Sequence, residues 1–311
     1  MEENRFKCLV ATGEETGPGA LPRELNRHPK LECAVCRDLG ATRAELLSRT
    51  AHALFLCGGP RDPDSLLLLE TVRGNPALAH LPVFALENPA NPAFARNCTL
   101  MGANAVLRAP DERTPEVEAR AIINQVYKTL RGVFHPATRL QTGGALMHRL
   151  EAMTQDVEKT RYMLCIKLHG LKSYNIYKSY DDGDAMLAAL AGCVGELLAQ
   201  RGNHNTVLGH LASDKLLLIT HDRRVESLCR TILHQSERII RRFYTPFELM
   251  QGYITIEDER IKGNYYLAEA MIAGVEIPTQ WNSHPVYLLD MLKELLRQVE
   301  KDESGYKIIS L

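Results

Sequence analysis

Over the first 112 residues the apolar pattern switches between runs of strand length and stretches with helical spacing. Lys7 to Thr12, Leu31 to Cys36, Ala53 to Cys57, Pro82 to Leu86 and Ala105 to Leu107 read as strands. Between them Leu21 to Arg27, Thr42 to Ser48, Asp64 to Arg73 and Pro92 to Met101 read as helices. Thr42 is the expected cap of the second helix, and Gly74 and Gly102 close the last two. Uninterrupted apolar strands alternating with helices predict a doubly wound α/β domain, with a five-stranded parallel sheet covered on both faces.

Thr114-Pro115-Glu116 then opens a long helix with a threonine cap, a proline at the first position and an acid in the first turn. Val117, Ala121, Ile122, Val126, Leu130 and Val133 form a wide apolar stripe along it. Two readings stand: the stripe packs on its own sheet, or part of it, with Tyr127 and Phe134, makes a dimer contact. His135-Pro136 stops the helix, because proline disfavours helical backbone in the residue before it. The chain is thereby divided into residues 1–134 and 135–311.

The second half mixes its elements without strict alternation. Helices are expected over Gly143 to Thr160 (Leu146, Leu150, Met153 and Val157 inward), after Gly183, over Arg224 to Phe243 and over Pro285 to Glu300. Strands are expected over Met163 to Leu168, Gln251 to Ile256, Leu267 to Ile277 and Tyr306 to Ile309, with a polar turn after the first. Thr206 to Leu211 and Leu216 to Thr220 flank a short polar insert, the signature of a hairpin. Such a mixture predicts an α+β domain with helices on a largely antiparallel sheet.

Composition narrows the function. A formal net charge of -1 gives no basic excess for nucleic acid or acidic lipid. No run approaches the ~18 apolar residues of a membrane span; Leu66 to Leu69, for one, is short. Met1-Glu2-Glu3-Asn4-Arg5 does not read as a signal peptide, so a cytoplasmic protein is expected. The cysteines are scattered, and Cys33 and Cys36 form the only CxxC, within a strand-like run. No metal site is expected there, because zinc sites pair such motifs.

The order of elements in residues 1–134 resembles a response-regulator receiver domain, which is flavodoxin-like. Gly102-Ala-Asn-Ala-Val-Leu-Arg-Ala-Pro110 is similar to that family's last strand, and Asn75-Pro-Ala-Leu-Ala-His-Leu-Pro-Val83 to its approach to the fourth. The resemblance implies acids after the first strand, an aspartate after the third, Thr or Ser after the fourth and Lys before the final proline. Those places fall on Thr12 and Gly13, on Cys57 (or Leu56), on Glu87 and on Ala109. Glu14 and Glu15 read as a surface turn. A cysteine forms no acyl phosphate, so a receiver fold without phosphotransfer is expected.

Residues 135–311 resemble the GGDEF domain of diguanylate cyclases, an α+β fold of the nucleotidyl-cyclase type. His135-Pro-Ala-Thr-Arg-Leu140 is similar to the family's DPLT-like entry motif. Leu171-Lys-Ser-Tyr-Asn175, Tyr180 and Gly183-Asp184 are similar to its FKxxND…GD segment. Gly209-His-Leu-Ala-Ser-Asp-Lys-Leu216 occupies the hairpin that names the family. Phe243-Tyr-Thr-Pro246 and Gly252-Tyr-Ile254 match an insertion of one branch.

In that family two facing domains join two GTP molecules into cyclic di-GMP with Mg²⁺. The resemblance puts the first metal carboxylate at Lys167 and the second at Asp214, the next hairpin acid at Lys215 and the two glycines at Ala212 and Ser213. Each acid-to-lysine change moves the local charge by two units, and charges ~4 Å apart interact by ~4 kcal/mol at an effective dielectric of about 20. No Mg²⁺ and no cyclase activity are expected. Asn175 and Asp184 fall where the family hydrogen-bonds guanine, and Lys293 and Arg297 where it binds triphosphate. The plainer reading makes Asp184 a helix cap, Asn175 a turn residue, and Lys293 and Arg297 part of a solvated face beside Glu294 and Glu300. Lys167 and Lys215 are expected to pair with Asp214 when empty and to take phosphate when occupied. The family's RxxD product site falls on Asn203 and Thr206, with Arg201 and His204 off register, so no conventional cyclic di-GMP site is expected there.

These readings imply a non-enzymatic signalling protein of the cyclic di-GMP type, acting as a homodimer or by docking on a protein partner, with no cofactor. The alternative is a receptor for GTP, GDP or cyclic di-GMP; an active cyclase ranks last.

Overall fold

A computed structural model describes residues 5–12, 19–48, 50–57, 63–75, 78–87, 91–108, 115–154, 161–202, 206–257, 261–279, 281, 284–302 and 304–311. Gly13, Glu14, Glu15, Ala109, Thr114, Val157, Asn203 and His204 lie outside it, as do the side chains of Val117 and Met153. The chain forms two compact units, Met1–Phe134 and His135–Leu311. No helix among the described residues is long and apolar enough to cross a membrane.

The first unit runs β1 (Phe6–Thr12), α1 (Leu21–Arg27), β2 (Leu31–Cys36), α2 (Leu39–Leu47), β3 (Ala53–Cys57), α3 (Pro63–Gly74), β4 (Val83–Glu87), α4 (Pro92–Leu100), β5 (Ala105–Arg108) and α5 (Pro115–Val133). Its sheet has the order β2-β1-β3-β4-β5, with every neighbouring pair parallel. That is the doubly wound order in which the strands reverse direction of growth after β1. The side-chain period of two sends Phe6, Cys8, Val10, Phe55 and Phe84 to one face, against α1 and α5. Leu9, Ala11, Leu54, Leu56, Val83 and Ala85 go to the other, against α2, α3 and α4. Both faces are thus covered, which is why the central strands read as unbroken apolar runs.

Two expectations fail here. The second helix begins at Leu39, capped by Asp38, whose Oδ2 accepts from Ala41 N at 2.6 Å. Thr42 lies one turn inside, buried, and its hydroxyl donates to the Asp38 carbonyl at 2.8 Å. A short aspartate earlier in the chain wins the cap because it reaches the free amides first. The α5 stripe does not offer Phe134 as a dimer contact: Ile122, Val126, Leu130 and Phe134 are all buried in the unit's own core. Tyr127 lies edge-on to Phe6 at 6.0 Å between ring centroids.

The second unit runs α6 (Gly143–Thr154), β6 (Arg161–His169), α7 (Leu171–Tyr177), α8 (Tyr180–Gln200), β7 (Val207–Ala212), β8 (Lys215–Thr220) and α9 (Val225–Ile240). It continues through a 3-10 turn at Arg241–Phe243 to α10 (Pro246–Gln251), β9 (Tyr253–Glu257), β10 (Lys262–Tyr266), β11 (Glu269–Ile277), α11 (Pro285–Asp302) and β12 (Tyr306–Ser310). The main sheet has the order β12-β11-β6-β8-β7, and β9 pairs with β10 separately. All pairs are antiparallel except β11 with β12.

Helices cover both faces of this sheet, not one. Leu164, Ile166, Leu216 and Leu218 pack with α7, α8 and α9; Met163, Cys165, Leu217 and Ile219 pack with α6 and α11. The stretch after β6 is helix α7 and not merely a turn: Gly170 (φ 80) redirects the chain, and Leu171 and Tyr174 bury one side of a short helix. Asp184 caps nothing, because α8 already starts at Tyr180 behind Ser179, whose Oγ accepts from Asp182 N at 3.0 Å. In the hairpin, Gly209 is held close to Leu146, whose Cδ1 would stand 2.3 Å from an added Cβ.

Candidate functional site

The hairpin expected between Leu211 and Leu216 is present, with Ser213 and Asp214 as its turn and a bulge between His210 and Ala212. Asp214 also ties the turn to β6, its carbonyl accepting from Leu168 N at 2.8 Å. This places Lys215 directly opposite Lys167 on the neighbouring strand. By strand alternation both side chains belong to the face covered by α6 and α11.

Each lysine has an acid of its own. Lys215 Nζ lies 2.5 Å from Asp214 Oδ1. Lys167 does not share Asp214, as the sequence led us to expect: its ammonium donates to Glu300 Oε1 on α11. His169 Nδ1 is 3.7 Å from the same oxygen. Glu300 is the residue that sequence reasoning missed. Its sequence context reads as the solvated face of the last helix, and no local pattern links it to a strand 133 positions earlier. Lys293 and Arg297 do face solvent, Arg297 paired to Glu294 at 2.9 Å.

This donor set does not fit Mg²⁺, which takes hard oxygen ligands. The one hairpin carboxylate is bound to an ammonium, and an ammonium stands where the other carboxylate would be. Among the described residues no group of three or more His, Cys, Asp or Glu is arranged to hold a metal ion. Behind the lysines, burial pushes the Cys165 thiol up to about 12, with Asp214 adding to the rise and both lysines opposing it. Its thiol is protonated at neutral pH and offers no thiolate ligand.

On the opposite face, Asn175 sits on α7 and aims its carbonyl oxygen at Gly183 of α8. A Cβ on Gly183 would lie 1.6 Å from Asn175 Oδ1. That oxygen is buried and has no hydrogen-bond partner among the described residues. Asp184, one residue on, is exposed. The carboxylate is thus open to solvent, while the amide oxygen is enclosed between α7 and α8.

Arg201, off register from the RxxD positions, is committed elsewhere. It reaches Asp222 at 3.2 Å, Ser227 at 3.5 Å and Thr231 at 3.4 Å. Thr206 opens toward Thr220, with 3.4 Å between hydroxyl oxygens.

In the first unit the phosphoacceptor places lie at the carboxyl ends of the strands, where doubly wound sheets bind ligands. Thr12 and Cys57 are in register and buried. Glu87 is exposed at the end of β4, opposite Arg108. The residue that ends β3 is a cysteine and not a carboxylate.

No family model matches the chain, and no curated protein matches it. Solved structures similar to it include GGDEF domains. The diguanylate cyclase SiaD from Pseudomonas aeruginosa, in complex with its activator SiaC, is 13% identical over 62% of this chain and 67% of that one, with a TM-score of 0.41. The GGDEF domain of DgcB from Caulobacter crescentus, in complex with c-di-GMP, is 11% identical over 57% of this chain and 95% of that one, with a TM-score of 0.40. The S helix-GGDEF-EAL portion of Vibrio cholerae LapD, bound to c-di-GMP, is 15% identical over 62% of this chain and 40% of that one, with a TM-score of 0.43. Likeness at this level carries no inference about activity, ligand or partner.

Proposed function

We propose that this chain is a signalling protein of the cyclic di-GMP type that does not make the dinucleotide and acts through contacts with protein, a second copy of itself included. One observation carries the reading. The pocket that the sequence resemblance assigns to metal and triphosphate holds a neutralised quartet, Lys167 with Glu300 and Lys215 with Asp214. Phosphoryl transfer consists mostly of positioning and of charge neutralisation by metal. Carboxylates already paired to lysines offer no free oxygen ligands for a metal. In the first unit, buried Thr12 and Cys57 stand at strand ends where the resemblance expects acids. Incubating the full chain with GTP and Mg²⁺ or Mn²⁺ tests the reading: no cyclic di-GMP is expected, and its formation above a no-protein control overturns it.

A second reading rests on a separate observation, the unpartnered Asn175 oxygen beside Gly183. It makes the second unit a receptor for guanine nucleotide, bound without metal on the α7–α8 side of the sheet. A ligand that binds only the folded state must raise Tm. A thermal-shift series with GTP, GDP and cyclic di-GMP, each with and without EDTA, separates the two readings. A shift that survives EDTA supports the receptor; no shift with any of the three leaves the protein-contact reading alone.

A further inference from the structure

The two histidines at the start and the middle of the second unit lie face to face. His135 and His210 have ring centroids 3.6 Å apart and an angle of 7° between planes. His210 is only 2% exposed. The stack joins two pieces of chain that also meet at a short parallel bridge, Gln141 with Gly209. One is the entry segment 135–142, turned back on itself by His135 N donating to Leu140 O at 2.8 Å and Arg139 N donating to His135 O at 2.9 Å. The other is β7, the outer strand of the hairpin, where His210 N donates to Gln141 O at 2.7 Å. Thr138 Oγ1 closes the corner, 3.4 Å from His210 Nδ1.

The hydrogen bonds fix the protonation state in which this packing holds. His135 Nδ1 faces two backbone donors, Ala137 N at 3.3 Å and Thr138 N at 3.4 Å. It must therefore be an acceptor, and neutral His135 carries its proton on Nε2. A proton added at Nδ1 turns both contacts into N–H facing N–H. It also sets a cation on the face of a buried ring.

Burial pushes His135 below its ordinary value, Asp184 of α8 opposes this, and Arg139 assists it. Burial and the neighbouring His135 push His210 down to about 4, against a hydrogen bond to the Ala212 backbone and the charge of Asp214 in the hairpin turn. Asp184 and Asp214 each oppose the effect of burial on one ring and do not overcome it.

We infer that the His135–His210 stack is a proton-operated clasp that sets how firmly the segment entering the second unit grips the hairpin. Both imidazoles titrate lower in the closed form than in an open one, so the open form binds more protons in mild acid. The clasp is fully closed above the ordinary histidine range and loosens as pH falls through the folded midpoints. When it loosens, β7 loses the Gln141 contact and the Ser213-Asp214 turn loses its outer support. This device works whether or not the domain binds nucleotide.

Amide hydrogen exchange on the full chain at about pH 7.5 and about pH 5.5, corrected for intrinsic rates, tests it. Protection at Ala137, Thr138 and His210 is expected to fall by about tenfold or more at the lower pH, while the middle of α9 holds. His135→Asn keeps a side-chain acceptor for the two amides and leaves only His210 to titrate, so the fall in its protection is expected to be smaller than in the unaltered chain. Equal protection of the unaltered chain at both pH values overturns the proposal, as does an undiminished fall in His135→Asn. Should that variant not fold, NMR titration of the unaltered chain decides: either ring protonating at or above the ordinary histidine value of ~6.5 overturns it.

Discussion

Lys167 and Lys215 stand directly opposite each other on antiparallel neighbours β6 and β8, and each is neutralised by an acid from a different part of the chain. Like charges facing across a sheet destabilise it. Here the repulsion is offset by Asp214 in the adjoining turn and by Glu300 from the far end of α11. Lys167 is 18% exposed and Glu300 29%, so solvent screens the pair only in part. Removing the acid leaves a half-buried ammonium beside another one. Glu300→Gln is therefore expected to destabilise the second unit by about 1 kcal/mol, and Lys167→Met in the same chain to recover most of the loss. Urea unfolding of the single and double variants checks this, and additive losses would show that the contact is not coupled.

Gly183 is required by what faces it. An alanine Cβ there would stand 1.6 Å from Asn175 Oδ1, so α7 and α8 must separate or Asn175 must leave its rotamer. Gly183→Ala is expected to cost about 1–3 kcal/mol despite alanine's better helix propensity. Asn175→Ala alone removes a buried acceptor without a partner and is expected to be near neutral. The two together should be closer to the unaltered chain than Gly183→Ala alone, a rescue that thermal unfolding reads directly.

Most of the scaffold was legible because its signals are local. Continuous apolar runs located the five strands of the first unit to within a residue or so, and the polar insert at Ala212 to Lys215 located the hairpin. What escaped was set by competition or by distance. Thr42 lost the cap of α2 to Asp38, four residues earlier, and Ser179 pre-empted Asp184 in the same way. Strand β10 was missed because Lys262–Tyr266 is polar and half exposed, paired only with β9 in a small separate sheet. The partner of Lys167 and the stacking of His135 on His210 join residues far apart in sequence, and neither follows from spacing.

Arg73, at the end of α3, is a fastening point of the first unit. Its guanidinium donates at 2.9 Å to the carbonyls of Ala79, Leu81 and Gly102 and to Asn104 Oδ1. Asn104 Oδ1 also accepts from Val83 N at 2.7 Å, so one side chain ties α3 to the approach of β4 and to that of β5. Burial lowers its pKa, but arginine remains protonated throughout the accessible range. Arg73→Ala leaves these acceptors short of a donor and is expected to cost about 2–4 kcal/mol in the first unit. Arg73→Lys should recover little, since one ammonium cannot span four acceptors held by a planar fork. Circular dichroism melts of the full chain check the order, with the lysine variant falling nearer to alanine than to arginine.

Glu248 supplies a pH dependence of defined sign. It completes the capping box of α10, its carboxylate accepting from Thr245 N at 2.6 Å while Thr245 Oγ1 accepts from Glu248 N at 3.3 Å. Tyr177 donates its hydroxyl to the same carboxylate, and Lys178 Nζ is 3.5 Å away. Burial alone would raise the carboxyl pKa, but the Tyr177 and Thr245 hydrogen bonds and the Lys178 charge together hold it below the ordinary value. A carboxylate depressed in the folded state contributes stability that is present above its unfolded pKa and lost as pH falls through the folded one. Glu248→Gln is therefore expected to be less stable than the unaltered chain at neutral pH, with the gap narrowing below about pH 4 as the native carboxylate protonates. Denaturant midpoints measured across that range decide it, because a gap that does not change with pH would mean the charge of Glu248 contributes nothing to holding α10 against α7.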